Sequence, residues 1–135
     1  MKMTAVLLVL ACVIGALAFV RLAPTDSARW HVPVDATTDK DMIGGAVRVV
    51  PGDAEMLVRA DAAMQNVPRT TKIAGSVETG RVTYVTRSKW IGFPDFTTLE
   101  LRDGTLRMFA RLRFGRSDFG VNRKRLQGLL AAVKE

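Results

Sequence analysis

A run of eighteen uncharged residues, 3–20, most constrains what this chain can fold into. As a helix with a rise of 1.5 Å per residue it is about 27 Å long, close to the thickness of the hydrocarbon core of a bilayer. This predicts a transmembrane anchor in residues 1–22. A removable signal segment is the alternative, because Ala16-Leu17-Ala18 resembles a small-x-small cleavage site.

The rest of the chain has room for one domain, which the sequence places in residues 46–135 behind a tether of residues 23–45. The tether contains two prolines and four aspartates, which is typical of an irregular segment. Its Trp30 is predicted to be a packed aromatic residue, with an interfacial membrane anchor as the alternative. His31 has no second His, Cys or acid at ligand spacing, so no metal site is predicted.

After Pro51-Gly52-Asp53, apolar residues recur at the spacing of a helix. Asp53 is the expected N-cap of this helix. A short apolar run before it, residues 46–50, is predicted to be an edge strand. After Pro68 the period changes to two, which predicts strands over residues 71–77, 81–89, 97–102 and 105–114. The predicted helical stripe consists of Met56, Leu57, Ala60, Ala63 and Met64.

The last predicted strand alternates most clearly, with apolar residues on one face and Arg107, Phe109, Arg111 and Arg113 on the other. Glu100 on the neighbouring strand is expected to neutralise one of these arginines. The predicted fold class is therefore α+β: an N-terminal transmembrane helix, then a small antiparallel sheet of about four to five strands packed against two helices.

Two further segments are unusual. Residues 90–94 are too apolar for an ordinary exposed loop, so they either cap the core, which we favour, or touch a membrane. A final helix over residues 121–133 carries a leucine stripe, with Asp118 or Asn122 as its expected cap. Its first turn is basic, which opposes the helix dipole, so Asp118, a bound anion or solvent must offset that charge.

The basic charge is concentrated in the last quarter of the chain. Residues 21–100 carry ten Lys and Arg against ten acids, whereas residues 101–135 carry nine against three. This asymmetry predicts an anionic neighbour, and the alternative is a solvated face without a partner. The predicted anion-binding or partner-binding residues are Arg107, Arg111, Arg113, Arg116, Arg123, Lys124 and Arg125.

The segment from Gly115 to Arg125, preceded by a basic strand and followed by a leucine-striped helix, resembles the C-terminal signature of an uncharacterised bacterial and plastid family called domain of unknown function 1499. Pro68-Arg69-Thr70 and Gly92-Phe93-Pro94-Asp95 also fit this family over residues 47–133. Where the family pattern leads us to expect paired acids, this chain has Pro94-Asp95-Phe96. The resemblance implies a small α+β domain, often behind a membrane segment, without established activity.

The sequence is compatible with two functions. The first is a membrane-anchored, non-enzymatic module whose basic C-terminal face binds anionic lipid or an acidic protein partner. The alternative is a binding protein or enzyme for a small anionic ligand at the turn of residues 115–122. We favour a structural role for this turn, in which glycines permit tight bends and Asp118 pairs with an arginine. Its predicted structural residues are Gly115, Ser117, Asp118, Gly120 and Asn122.

Other classes are disfavoured by the sequence. No base lies near Ser117 in the chain and there is no nucleotide loop, so no cofactor and no catalytic residue are predicted. Nucleic-acid binding is disfavoured because a single aromatic, Phe109, lies among the arginines. Short N-terminal anchors usually keep the N-terminus in the cytoplasm, so we expect a single-pass protein of the bacterial inner membrane with its domain on the periplasmic side.

Overall fold

The computed structural model describes all residues, 1–135, and confirms the predicted α+β class. The elements follow in the order α1 (Lys2–Leu22), α2 (Ser27–Trp30), β1 (Lys40–Met42), β2 (Gly45–Pro51), α3 (Ala54–Gln65), β3 (Thr70–Ser76), β4 (Arg81–Arg87), β5 (Pro94–Arg102), β6 (Thr105–Leu112) and α4 (Val121–Lys134).

The six strands form one antiparallel sheet in the order β1-β2-β6-β5-β4-β3, one strand more than predicted. The additional strand is β1, whose three residues are all exposed and show no apolar alternation. The strand predicted at residues 46–50 is present as β2, but it does not lie at the sheet edge because β1 pairs with it. β5 begins at Pro94, before its predicted start, because a proline is tolerated at the first residue of a strand.

Helices α3 and α4 pack on one face of the sheet and bury the core. Asp53 Oδ1 accepts a hydrogen bond from Met56 N (2.9 Å), which confirms the predicted cap of α3. From the predicted stripe, Leu57, Ala60 and Met64 are fully buried, while Met56 and Ala63 pack at its margin. The remaining members of the core are Ala46, Val82, Tyr84, Leu99, Leu106, Met108, Ala110, Leu126, Leu129 and Val133.

Residues 27–36, part of the predicted tether, lie on the opposite face of the sheet. Trp30 stacks on Phe96 of β5, which confirms Trp30 as a packed aromatic residue. Val34 is buried, and its N–H donates to the buried carboxylate of Glu100. The division into tether and domain stays a prediction, but these contacts give the sheet a second covered face.

The strand register brings three connections to the same end of the sheet. Thr70 pairs with Thr86, Arg87 with Pro94, and Asp95 with Leu112. The turn of residues 66–69, the loop of residues 88–93 and the segment of residues 113–120 therefore lie side by side. We call this end the proximal end, because α1 contacts it.

Helix α1 is long and apolar enough to cross a membrane, and none of its residues is buried. Its second half contacts the proximal end: the Phe19 ring meets Phe114 edge-on, with 5.9 Å between the ring centroids. Trp90 and Ile91 form a shallow depression with Ile14, Leu17, Ala18 and Arg21. Trp90 is 81% exposed, so the prediction that residues 90–94 cap the core is wrong for this side chain.

Candidate functional site

Arg107 and Arg111 do not form a free cationic surface. Arg107 Nε donates to Ala36 O (3.0 Å), and Arg111 Nη2 donates to Trp30 O (2.6 Å). Arg111 Nη1 also donates to Thr98 Oγ1 (2.9 Å). Burial lowers the pKa of Arg111 to about 10, which reflects how far its guanidinium is removed from water. Both arginines therefore hold residues 30–36 onto the sheet, which corrects their predicted availability to an anionic partner.

Glu100 lies directly opposite Arg107 in the strand register, but the two side chains form no ion pair. Its buried carboxylate forms ion pairs with Arg81 Nε (2.5 Å) and Arg102 Nη1 (2.9 Å). The expectation that Glu100 neutralises an arginine of the last strand is therefore wrong. Two cations and the Val34 N–H compensate the loss of water around this carboxylate.

The other predicted cations divide into two groups. Arg125 is largely buried, where Nη1 donates to Asn122 Oδ1 and lies 3.7 Å from Asp95 Oδ2. Arg113 is half-buried, and its guanidinium lies over the Phe114 ring, 4.9 Å from the centroid. Three side chains of the predicted set are exposed to solvent, namely Arg116, Arg123 and Lys124.

The N-cap residue of α4 is Gly120 and neither Asp118 nor Asn122, but Asp118 satisfies backbone N–H groups there from two residues earlier. Asp118 Oδ1 accepts from Gly120 N (2.9 Å) and Asp118 Oδ2 from Asn122 N (3.1 Å). Ser117 Oγ accepts from Phe119 N (3.2 Å). The expected ion pair between Asp118 and an arginine is absent, because the neighbouring Arg125 pairs with Asp95 instead. Asp118 thus supplies two hydrogen-bond acceptors to the backbone at the start of α4.

A cleft of about 560 Å³ opens beside this turn at the proximal end. Its volume is within the range of small-molecule sites. The three segments that carry the family resemblance meet in it, although they are far apart in the sequence. Its lining comprises Val67, Pro68, Arg69, Thr86, Arg87, Ser88, Phe93, Asp95, Leu112, Phe114, Gly115, Ser117, Asp118, Phe119, Val121 and Arg125.

Asp95 and Asp118 bring two carboxylates to this cleft from distant parts of the chain. Burial raises the pKa of Asp95, and the charge of Asp118 raises it further, while Arg125 and Asn122 oppose this shift. Burial also lowers the pKa of Arg125, against the influence of both aspartates. Two carboxylates from distant parts of the chain therefore line this cleft and influence each other electrostatically.

The sequence identified the turn of residues 115–122 but assigned no role to Arg69 or Asp95. Both belong to segments that carry the resemblance, and this was the only signal that could have linked them to the turn. His31 lies on the other face of the sheet, where its Nδ1 is 2.9 Å from Thr83 Oγ1. The structure brings together no group of three or more His, Cys, Asp or Glu side chains with the geometry of a metal site.

The family model described as a protein of unknown function, DUF1499, matches residues 26–133. This match confirms the resemblance and includes every segment that lines the cleft. No curated protein matches the chain.

Proposed function

The chain belongs to the DUF1499 family, and we propose that it is a single-pass, non-enzymatic membrane protein whose proximal end rests on an anionic lipid surface. One observation carries this function: the second half of α1 packs beside the loop that holds Trp90. The proximal end therefore lies next to α1, wherever α1 sits relative to a membrane.

The length of α1 fixes the depth of that loop. Its 21 residues are about 31 Å long, and a hydrocarbon core is about 30 Å thick. A spanning α1 therefore has almost no length to spare outside the bilayer. The depression that contains Trp90 and Ile91 also includes Arg21, the first charged residue after the apolar run, and the charged end of a spanning helix lies at the headgroups. We therefore place Trp90 and Ile91 beside Arg21 in the headgroup region, where tryptophan is enriched in membrane proteins.

The exposed charges of the proximal end suit an anionic surface. Lys89, whose ammonium lies 5.0 Å from the Trp90 ring centroid, comes from the same loop. Arg116, Arg123 and Lys124 come from the turn and the start of α4. Each such cation contributes about 1 kcal/mol near anionic lipid. These residues replace the wider basic face of the sequence prediction, since Arg107 and Arg111 are engaged inside the fold.

The orientation forms part of the proposal: the N-terminus in the cytoplasm and the domain on the periplasmic side of a bacterial inner membrane. A cysteine introduced at the exposed Glu135, at the end of α4 away from the proximal end, reports this, in a Cys12→Ala background that removes the natural thiol. A membrane-impermeant maleimide added to intact spheroplasts labels this cysteine if the domain is periplasmic. Labelling only after lysis would reverse the orientation.

Depth-dependent quenching of tryptophan fluorescence tests the lipid contact. The full-length Trp30→Phe variant, reconstituted in nanodiscs, leaves Trp90 as the sole tryptophan. We expect quenching by lipids brominated near the headgroup, and stronger quenching as the anionic lipid fraction rises. The matched Trp90→Phe variant leaves Trp30, which lies against the sheet and should be quenched little.

A charge variant separates lipid attraction from anchoring alone. Replacing Arg116, Arg123 and Lys124 by glutamine should remove the dependence of Trp90 quenching on anionic lipid. Lys134→Gln, at the opposite end of α4, should leave it unchanged. If Trp90 of the Trp30→Phe variant is not quenched, or if its quenching does not depend on lipid charge while Arg116, Arg123 and Lys124 are present, the contact with a lipid surface is refuted. An acidic protein partner is then the remaining candidate.

A further inference from the structure

Two residues with strained backbones flank the cleft. Only three non-glycine residues have positive φ: Arg69 (56°), Asp103 (52°) and Phe119 (54°). Asp103 belongs to the tight Asp103-Gly104 hairpin, a turn that requires this conformation. Arg69 and Phe119 both line the cleft. For a bulky aromatic residue this region is unfavourable and is commonly maintained at functional sites.

Hydrogen bonds hold the backbone at both positions, since Phe119 N donates to Ser117 Oγ, but nothing in the fold buries the Phe119 ring. Arg69 forms two hydrogen bonds with Arg87. The Arg87 N–H donates to Arg69 O (3.0 Å), and Arg69 Nε donates to Arg87 O (3.0 Å). Phe119 is 94% exposed, so no burial of its ring offsets the strain. The chain thus holds a phenyl ring in water at the rim of a cleft.

Some arginine N–H groups at the cleft have no hydrogen-bond partner, whereas both aspartates at the cleft have partners. Arg125 forms its hydrogen bond through Nη1, which leaves Nε and Nη2 without a partner, and Arg69 uses only Nε. Both oxygens of Asp118 accept backbone hydrogen bonds, and Asp95 pairs with Arg125. A carboxylate or phosphate therefore meets free guanidinium donors here, with the geometry that arginine provides for such groups.

The cleft also has an apolar wall that continues to α1. Phe93, Phe114 and Phe119 contribute aromatic rings to its lining. Phe114 in turn contacts Phe19 of α1. Apolar surface therefore leads from the arginines to the side of the helix that is long and apolar enough to cross a membrane.

From these observations we infer that the cleft binds one anionic amphiphile, with its carboxylate or phosphate head at Arg69 and Arg125 and its hydrocarbon chain along Phe93, Phe114 and Phe119. This goes beyond a domain that rests on lipid headgroups, because it assigns an individual molecule to a defined cavity. The head group belongs either to a free fatty acid or to a phospholipid.

Photolabelling of the full-length protein in neutral phosphatidylcholine nanodiscs tests the site. The probe is oleate with a diazirine in its chain, and we expect labelled peptides from residues 93–95 and 112–119. Unlabelled oleate and oleoyl phosphatidate should compete, and the stronger competitor identifies the head group. Oleyl alcohol and inorganic phosphate should not compete. Equal competition by either of them, or labelling confined to α1, would overturn the inference.

Phe119→Gly separates binding from folding. Glycine adopts this backbone conformation without strain, so the variant should melt at the same temperature as the natural chain or higher. It should nevertheless lose most of the labelling, and Arg69→Gln should weaken oleate competition about tenfold. Lys134→Gln serves as the charge-matched control. Full labelling of Phe119→Gly would contradict the proposal.

The two proposals can fail separately. Arg69→Gln should leave the quenching of Trp90 by headgroup-brominated lipid intact, because Arg69 is one of several cations at the proximal end. Loss of labelling with preserved quenching supports the cleft as a distinct site. Quenching without any labelling of the natural chain refutes the cleft and leaves the surface contact standing.

Discussion

Trp30 stacks face to face on Phe96, with 3.9 Å between the ring centroids and 7° between the ring planes. The Arg111 guanidinium lies 5.4 Å from the Trp30 ring centroid, and the same guanidinium donates to Trp30 O. One residue of the segment after α1 is therefore held by an aromatic ring, a cation and a hydrogen bond. This contact positions the chain between α1 and the sheet.

Trp30→Ala is expected to destabilise the protein by about 2–4 kcal/mol, because it removes the stacking and exposes Phe96. Urea unfolding of the full-length protein in detergent, followed by circular dichroism, measures this change. Val32→Ala is the matched control, since Val32 is 39% exposed and should change the free energy of unfolding by less than about 0.5 kcal/mol. Equal effects of the two variants would contradict the role of Trp30.

Asp118→Ala is expected to cost about 1–3 kcal/mol, because two backbone N–H groups lose their acceptor at the start of α4. Arg116→Ala and Arg123→Ala should each cost less than about 0.5 kcal/mol, since both side chains are exposed. Thermal melts of the three variants give the comparison. An unchanged or raised Tm for Asp118→Ala would refute the capping role.

Tyr84→Phe is expected to cost about 1.5–3 kcal/mol, because the buried hydroxyl donates to the Asp61 carboxylate. Burial and this hydrogen bond raise the pKa of Tyr84, so the hydroxyl keeps its proton at ordinary pH. Asp61 retains Lys72 Nζ at 3.1 Å and Gln65 Nε2 at 2.6 Å. Gln65→Ala, which removes a more exposed donor to the same carboxylate, should cost less in the same urea experiment.

Local patterns were sufficient to predict most of the fold. The alternation of residues 105–112 and the stripe of α3 each arise from one buried face, which the sequence shows directly. β1 gave no such signal, because its Lys-Asp-Met sequence is exposed and its pairing is made by backbone groups. The second covered face of the sheet was also missed, since it depends on Trp30 meeting Phe96, a contact between distant parts of the chain.

Only part of the candidate site could be predicted from the sequence, because the rest depends on contacts between distant parts of the chain. Asp118 and its turn have recognisable capping chemistry, whereas Asp95 reaches the site because the register of β5 places it opposite Leu112. Arg107 and Arg111 show the reverse error. Their alternation correctly placed them on the outer face of the sheet, but periodicity does not reveal that a preceding segment covers that face.

The pH dependence of stability should identify His31, the sole histidine, as a partly buried side chain that is neutral in the folded protein. Burial lowers its pKa below the ordinary value of 6.5, Arg81 lowers it further, and Glu100 opposes them. Unfolded His31 therefore binds a proton at a higher pH than folded His31 does. Its contribution to stability is complete above pH 6.5 and is lost as the pH falls from there to the folded pKa. Urea unfolding between pH 7.5 and 5 should show this decrease, and His31→Gln should flatten it. Parallel curves for the two proteins would exclude His31 as the cause.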